Sequence, residues 1–217
     1  MASSWIFPTI RRWFRDTVPS RPSASNAARI LILPSGKNKL FAGIALDDDA
    51  RERITEIGRA LEARGVRGRW ERADKLHITL AFLGWVPSER IDEIQTCMRD
   101  CAATHAAFTL RLDKAGAFPN ERRPRVVWVG ARKQPRAYEE LQTNLRDRCR
   151  NLGFSFKEEH MVHLTICRIK EPSPLPVIAN FPPIDLYVRA LTLFESIPEK
   201  DTTRHQPLSV VPLDLSR

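Results

Sequence analysis

Long apolar runs are missing from this sequence: nowhere in its 217 residues do the roughly 18–20 consecutive apolar side chains needed to span a bilayer occur. An integral helical membrane protein is thereby excluded. Cysteine is scarce as well. Cys97, Cys101, Cys149 and Cys167 form no Cys-x-x-Cys pair and are too sparse for a disulfide framework. Reduced, partly buried thiols in a cytosol-like compartment are expected. Cys97, Cys101 and His105 do recur at i, i+4 and i+8, a spacing that aligns them on one helix face. A metal site there needs a fourth ligand and groups that orient the first ones. The sequence offers neither, so helix packing is the expected role, and no metal or other cofactor is called for.

Positive charge is abundant, formally +9, but its distribution decides its meaning. Residues 1–40 carry Arg11, Arg12, Arg15, Arg21, Arg29, Lys37 and Lys39 against Asp16 alone, which leaves 28 basic and 25 acidic residues beyond them. The body of the chain is thus only weakly basic. Attraction for phosphate must come from a local cluster and not from a global field.

Residues 1–38 read as a basic N-terminal extension, flexible through its Pro/Ser/Ala stretch from Pro19 to Ala28. Trp5, Ile6, Phe7, Ile10, Trp13 and Phe14 alternate there with arginines. Three roles fit: a solvated tail, a short amphipathic helix on a membrane surface or partner, or an organellar transit peptide. Pro8 interrupts the helix, and no secretory apolar core is evident. The tail or surface anchor is preferred, with a cytoplasmic location; an organellar one is the alternative.

Residues 39–217 carry regular patterning. Lys39–Leu46 reads as a buried strand, Asp47–Asp49 as a helix start, and Ala50–Ala63 as a helix striped by Ile54, Ile57 and Leu61. Leu76–Leu83 is a strand ended by Gly84, and Pro87-Ser88 opens a second helix carrying Ile91, Ile94, Met98 and Cys101. Phe108–Phe118 and Arg125–Gly130 read as strands, and Tyr138–Leu152 as a helix closed by Gly153. Met161–Ile169, Leu186–Phe194 and Leu208–Leu213 complete the strands, with a Pro-rich loop at 172–183. Interspersed strands and helices place the fold in the α+β or α/β class. Val162–Ile166 matches Leu76–Leu80 in residue type at every position, which suggests two related halves.

Those matching segments contain the chemistry. On a strand, residues i and i+2 share a face. In His77-Ile78-Thr79-Leu80, and again in His163-Leu164-Thr165-Ile166, an imidazole and a hydroxyl therefore project together while two aliphatic side chains face the core. Five His and twelve Thr in random order would give on the order of 0.05 such matches in a chain of this length, so two are not an accident. Histidine, with an unperturbed pKa of ~6.5, can be neutral on one strand and protonated on the other. One ring can then deprotonate a water that attacks a phosphodiester while the other protonates the departing oxygen. The threonine hydroxyls can hold non-bridging oxygens.

Through these residues and the stretches around them, the sequence resembles the two-histidine phosphoesterase superfamily, and within it the LigT-like RNA 2′,3′-cyclic phosphodiesterases. The resemblance is carried by LFAGIALDDDARERI near residue 40, KLHITLAFLG (75–84), GAFPNERRPRVVWVG (116–130) and HLTICRIK (163–170). It implies a bilobal α+β fold with two pseudo-symmetric antiparallel sheets, outer helices and a central cleft. It implies metal-independent opening of 2′,3′-cyclic phosphates on RNA ends or nucleotides to 2′-phosphates, in a protein expected to be a monomer. His77 would protonate the leaving 3′ oxygen and His163 would activate water, roles that are exchangeable. Thr79 and Thr165 would bind the phosphate, and Arg168 would neutralise or clamp it. Strand alternation leaves a tension: 163, 165 and 167 share a face, so Arg168 needs a strand end or bulge to join them. Phe82 continues the face of Leu80 and is expected in the core rather than as a base-stacking platform. The family often has a basic residue at the position of Ala81 and proline at that of Val162. Alternatives with the same site are 2′–5′ RNA ligation or 2′–5′ phosphodiester cleavage, and a non-catalytic RNA-end binder; loops 116–125 and 170–183 would decide among substrates. The basic segment Glu121-Arg122-Arg123-Pro124-Arg125 reads equally as a backbone-tracking segment or a solvated loop.

Overall fold

The computed structural model describes residues 36–156, 161–172, 174–175, 181–200 and 202–214. The reading of residues 1–35 as an extension lies outside them. In chain order the described elements are β1 (Lys37–Ala45), α1 (Asp48–Ala63), β2 (Arg69–Trp70), β3 (His77–Pro87), α2 (Ile91–Ala102), β4 (Phe108–Leu112) and β5 (Lys114–Phe118). There follow β6 (Val126–Gly130), α3 (Arg136–Asn151), β7 (His163–Arg168), β8 (Ile184–Val188), β9 (Ala190–Pro198) and β10 (Thr203–Pro212). No helix among the described residues is long and apolar enough to cross a membrane.

Two four-stranded antiparallel sheets organise these elements, in the orders β10-β9-β1-β3 and β2-β7-β6-β5, with β4 and β8 forming a separate pair. The class is α+β. Each sheet contains a strand–helix–strand unit whose second strand bears a His-x-Thr segment: β1-α1-β3 in the first, β6-α3-β7 in the second. The units match further, because the strand beside each His-x-Thr segment carries an aromatic-x-Gly triplet, Phe41-Ala42-Gly43 in β1 and Trp128-Val129-Gly130 in β6. These glycines permit close backbone approach: a Cβ on Gly43 would lie 2.6 Å from the Ile78 carbonyl oxygen, and one on Gly130 would overlap that of Val162.

Local rules account for the helices. Asp47 caps α1 by accepting a hydrogen bond from the Ala50 N–H at 2.9 Å, and Asp48 and Asp49 complement the positive end of the helix. Ala50, Ile54, Gly58 and Leu61 form its buried face. The apolar sides of both sheets and the three helices share one continuous core, with Ile78, Leu80, Leu164, Tyr138, Leu141 and Leu145 fully enclosed. In α2 the stripe Ile94, Met98, Cys101 is buried as expected, but the helix ends at Ala102. His105 therefore falls outside the helix face that Cys97 and Cys101 share, and its Nδ1 donates back to the Cys101 carbonyl at 2.9 Å.

Several strands differ from their sequence reading, always for want of a partner in the pattern. Phe108–Phe118 divides at Asp113, whose carboxylate accepts the Arg132 N–H at 2.8 Å; β4 then pairs with β8, and β5 joins the second sheet. Leu186–Phe194 divides at Arg189 in the same way, sending β8 to β4 and β9 to the first sheet. Gly84 does not end β3, because its positive φ of 76° is absorbed within the strand, which runs on to Pro87. β10 starts at Thr203, five residues before the apolar stretch that marked it. β2, only two residues long, leaves no periodicity to read. β1 begins at Lys37, two residues before its expected start at Lys39, so Lys37 belongs to the first sheet and not to the basic extension.

The feature that most affects the site is a pair of matched bulges. Along the β1–β3 ladder Ala42 opposes Ala81 and Gly43 opposes Thr79, so Leu80 is an extra residue. Along β6–β7 Val127 opposes Cys167 and Trp128 opposes Thr165, so Ile166 is extra. An extra residue resets the alternation of faces beyond it. Both strands consequently run half-buried, buried, half-buried, buried, buried, exposed from His77 to Phe82 and from His163 to Arg168. Arg168 thereby joins the face of His163 and Thr165. The same reset overturns the expectation for Phe82, which leaves the core for the face of His77 and Thr79 and is 64% exposed. The carbonyls freed by the bulges are both taken: that of Leu80 accepts from Arg146 Nε at 2.8 Å, and that of Ile166 from the Glu71 N–H at 2.9 Å.

Gly130→Ala is expected to destabilise the protein by about 1–3 kcal/mol in urea unfolding, because the new methyl can be housed only by pushing β6 from β7.

Candidate active site

β3 and β7 lie against one another across the two sheets. Thr79 from the first and His163 from the second line a single cavity of about 250 Å³, together with Phe82, Gln142, Arg146, Ser155, Phe156 and Met161. The two halves of the repeated motif thus contribute to one space.

Both histidines are held the same way. His77 Nδ1 lies 2.7 Å from the carbonyl oxygen of Lys75, and His163 Nδ1 lies 3.1 Å from that of Met161, in each case two residues upstream. A carbonyl oxygen only accepts, so Nδ1 carries the proton in both rings. Nε2 is then the atom left for proton transfer. An aromatic ring braces each imidazole: Phe41 at 4.7 Å from His77, and Phe118 edge-on at 5.3 Å from His163. Phe118 in turn packs at 5.5 Å on Trp128, the aromatic of the second triplet.

The surroundings of the two rings differ. His77 is enclosed by Phe41, Phe194 and a further histidine, His205 of β10, at 4.8 Å in an edge-on arrangement. Burial drives its pKa down to about 4, and His205 and Lys75 add to the shift, against the opposing influence of the Lys75 carbonyl and of Glu71. His77 is therefore neutral at neutral pH. His205 is lowered as well, by burial first and then by the Lys75 charge.

Arg168 reaches this environment through an ion-pair chain. Its Nε donates to Glu71 at 3.0 Å, and the other Glu71 oxygen accepts from Lys75 Nζ at 3.0 Å. Lys75 is buried, bonds Thr202 Oγ1 at 3.2 Å, and presents the carbonyl that orients His77. Burial raises the Glu71 carboxyl, but hydrogen bonds and charge from Lys75 and Arg168 outweigh it and leave the pKa lowered. The chain holds Arg168 beside the His/Thr face and fixes the turn that aims His77.

The sequence reading named His77, Thr79, His163, Thr165 and Arg168, and all five lie on the same-facing positions of β3 and β7. Thr165 stands opposite Trp128. His205, Glu71, Lys75, Gln142 and Arg146 were missed. Alternation of Thr203, His205 and Pro207 was the one available signal for His205; Arg146 and Gln142 sit on the buried stripe of α3, where a polar residue among Leu141, Leu145 and Cys149 marks a group with a specific partner. Among the described residues no cluster of three or more His, Cys, Asp or Glu has metal-site geometry.

Comparison with known proteins fits this geometry. Residues 44–128 match the sequence model of the LigT like Phosphoesterase family. An Escherichia coli K12 protein named RNA 2′,3′-cyclic phosphodiesterase is 34% identical over 177 residues, 80% of this chain and 96% of the relative. Its namesake from Archaeoglobus fulgidus is 34% identical over 137 residues, covering 63% of this chain and 75% of the relative. The crystal structure of E. coli LigT in apo form superposes with a TM-score of 0.68 at 32% identity, over 82% of this chain and 99% of that one. A Thermus thermophilus protein superposes with a TM-score of 0.73 at 25% identity, over 82% and 100%. The chain belongs to the LigT-like phosphoesterase family.

The His77 shift has a consequence for stability. Its folded pKa of about 4 lies below the unfolded value of 6.5, so the unfolded chain takes up the proton first as pH falls. Stability contributed by neutral His77 is complete above pH ~6.5 and is lost between there and pH ~4, by roughly 3 kcal/mol at most. Urea unfolding across that window should show the fall, reduced in His77→Gln.

Proposed function

We propose that this protein hydrolyses 2′,3′-cyclic phosphates on RNA ends to 2′-phosphomonoesters, without a metal, by general acid–base catalysis. The observation that carries the reading is that Thr79 of β3 and His163 of β7 line one cavity, with His77 on the face of Thr79, and Thr165 and the bulge-turned Arg168 on the face of His163. The relatives named RNA 2′,3′-cyclic phosphodiesterase support the substrate class, and a LigT structure complexed with 3′-AMP supports a nucleotide-sized ligand.

Thr79 and Thr165 donate hydroxyl hydrogen bonds to the non-bridging oxygens, and Arg168 supplies charge to the phosphate. The half-buried, neutral His77 suits the base: its Nε2 takes a proton from water as the water attacks phosphorus. His163 protonates the departing 3′ oxygen. This assignment exchanges the roles implied by the resemblance, since a ring with a pKa of about 4 carries a proton to donate in only about one molecule in a thousand at pH 7.

Residues 39–217, extended by the two residues with which β1 begins, make the catalytic domain, and the preceding segment is an appendage for a membrane surface or partner. A reducing, cytoplasmic compartment suits the four buried free thiols.

His77→Ala or His163→Ala is expected to lower turnover of a cyclic-ended oligonucleotide by on the order of 10²-fold or more, and turnover should persist in EDTA. Full activity of both single variants, or a 3′-phosphate product, would overturn the reading. The role assignment has its own test: with His77 as base, kcat/KM holds on the acid side until pH approaches 4. With His77 as acid it would instead decline about tenfold per pH unit above that value.

A further inference from the structure

The reset that exposes Phe82 does not stop there. A second register shift in β3, where Leu40 opposes Gly84 and Phe41 opposes Phe82, makes Leu83 another extra residue and brings Trp85 to the same face. His77, Thr79, Phe82 and Trp85 therefore lie in one row, and Trp85 is 60% exposed. Two large aromatics standing in solvent beside the buried Phe41 and Phe194 and the half-buried His77 form no part of the core. Directly across the ladder from Trp85 is Lys39, and across from Pro87 is Lys37; both are exposed. Aromatic faces flanked by cations along a groove are what single-stranded nucleic acid requires, since bases stack on rings while phosphates pair with lysines.

We infer that the outer half of β3, through Phe82 and Trp85 with Lys39 and Lys37 alongside, is a track for the RNA nucleotides on the 5′ side of the cyclic end. The inference rests on the proposed function and adds that the enzyme is built for an RNA chain more than for a mononucleotide. At ~3.3 Å per residue Trp85 stands on the order of 10 Å beyond Phe82. Stacked bases advance ~3.4 Å per nucleotide, so Trp85 serves a base about one to three nucleotides further from the end than the one at Phe82. A cyclic mononucleotide in the cavity of Thr79 and His163 ends before it.

The test compares kcat/KM on a pentanucleotide ending in a 2′,3′-cyclic phosphate with that on a cyclic mononucleotide. The pentanucleotide is expected to be preferred, and Trp85→Ala to cut the ratio of the two roughly 10-fold, with Trp85→Phe retaining most of it. Lys39→Gln should make the salt dependence on the pentanucleotide shallower by about 0.7 in log–log slope. A ratio unchanged in Trp85→Ala overturns the track while leaving the catalytic reading standing, and an unchanged slope removes Lys39 from it. Failure of the unmodified protein to turn over either substrate overturns the catalytic reading itself.

Discussion

One extra residue in each of two strands decides what this protein presents to solvent. Leu80 in β3 and Ile166 in β7 have no partner across the ladder, and each keeps its side chain in the core while the next residue is buried too. Without them Phe82 and Arg168 would point inward, where a guanidinium would cost several kcal/mol to desolvate. With them, each His-x-Thr pair acquires a third group on its own face. A bulge leaves a freed carbonyl, and the fold satisfies it in two ways: a buried arginine from α3 for Leu80, and the backbone of Glu71 for Ile166. Arg146 and Glu71 are thus tied to the chemistry although neither belongs to the motif.

Two halves alike in backbone differ in what is packed around their histidines. Both imidazoles donate Nδ1–H to the carbonyl two residues upstream, which fixes tautomer and aim alike. His77, however, sits under Phe41, Phe194 and His205 and beside a buried Lys75–Glu71 pair, and its proton affinity falls. Symmetry of backbone aims two imidazoles alike; asymmetry of packing surrounds one with Phe41, Phe194 and His205 and the other with Phe118.

Tertiary pairing also explains the interleaved sheets. The first takes β1 and β3 from one end of the chain and β9 and β10 from the other, so His205, far from His77 in sequence, becomes its neighbour. β10 was legible only from Leu208 onward because Thr203–Pro207 is half polar, and a strand that borders a functional face is where polar residues replace the apolar alternation.

Local chemistry along the chain was enough to reveal the repeated His-x-Thr pattern, the three helices and the acidic start of α1, the aliphatic core positions of β3 and β7, and the family resemblance, although α2 begins at Ile91 and not at Pro87-Ser88. These depend on neighbours within a few residues, through helical and strand periodicity and side-chain chemistry. The pattern also posed the question of Arg168 correctly, as a residue needing a bulge. Long-range packing settled where the bulges fall, and so that Phe82 and Trp85 are exposed, that Phe108–Phe118 and Leu186–Phe194 each serve two sheets, and that Lys75, Glu71 and His205 surround His77. A bulge is defined by the strand across the ladder, and a pKa by everything packed around a ring. Neither partner is adjacent in the chain, so neither leaves a local trace.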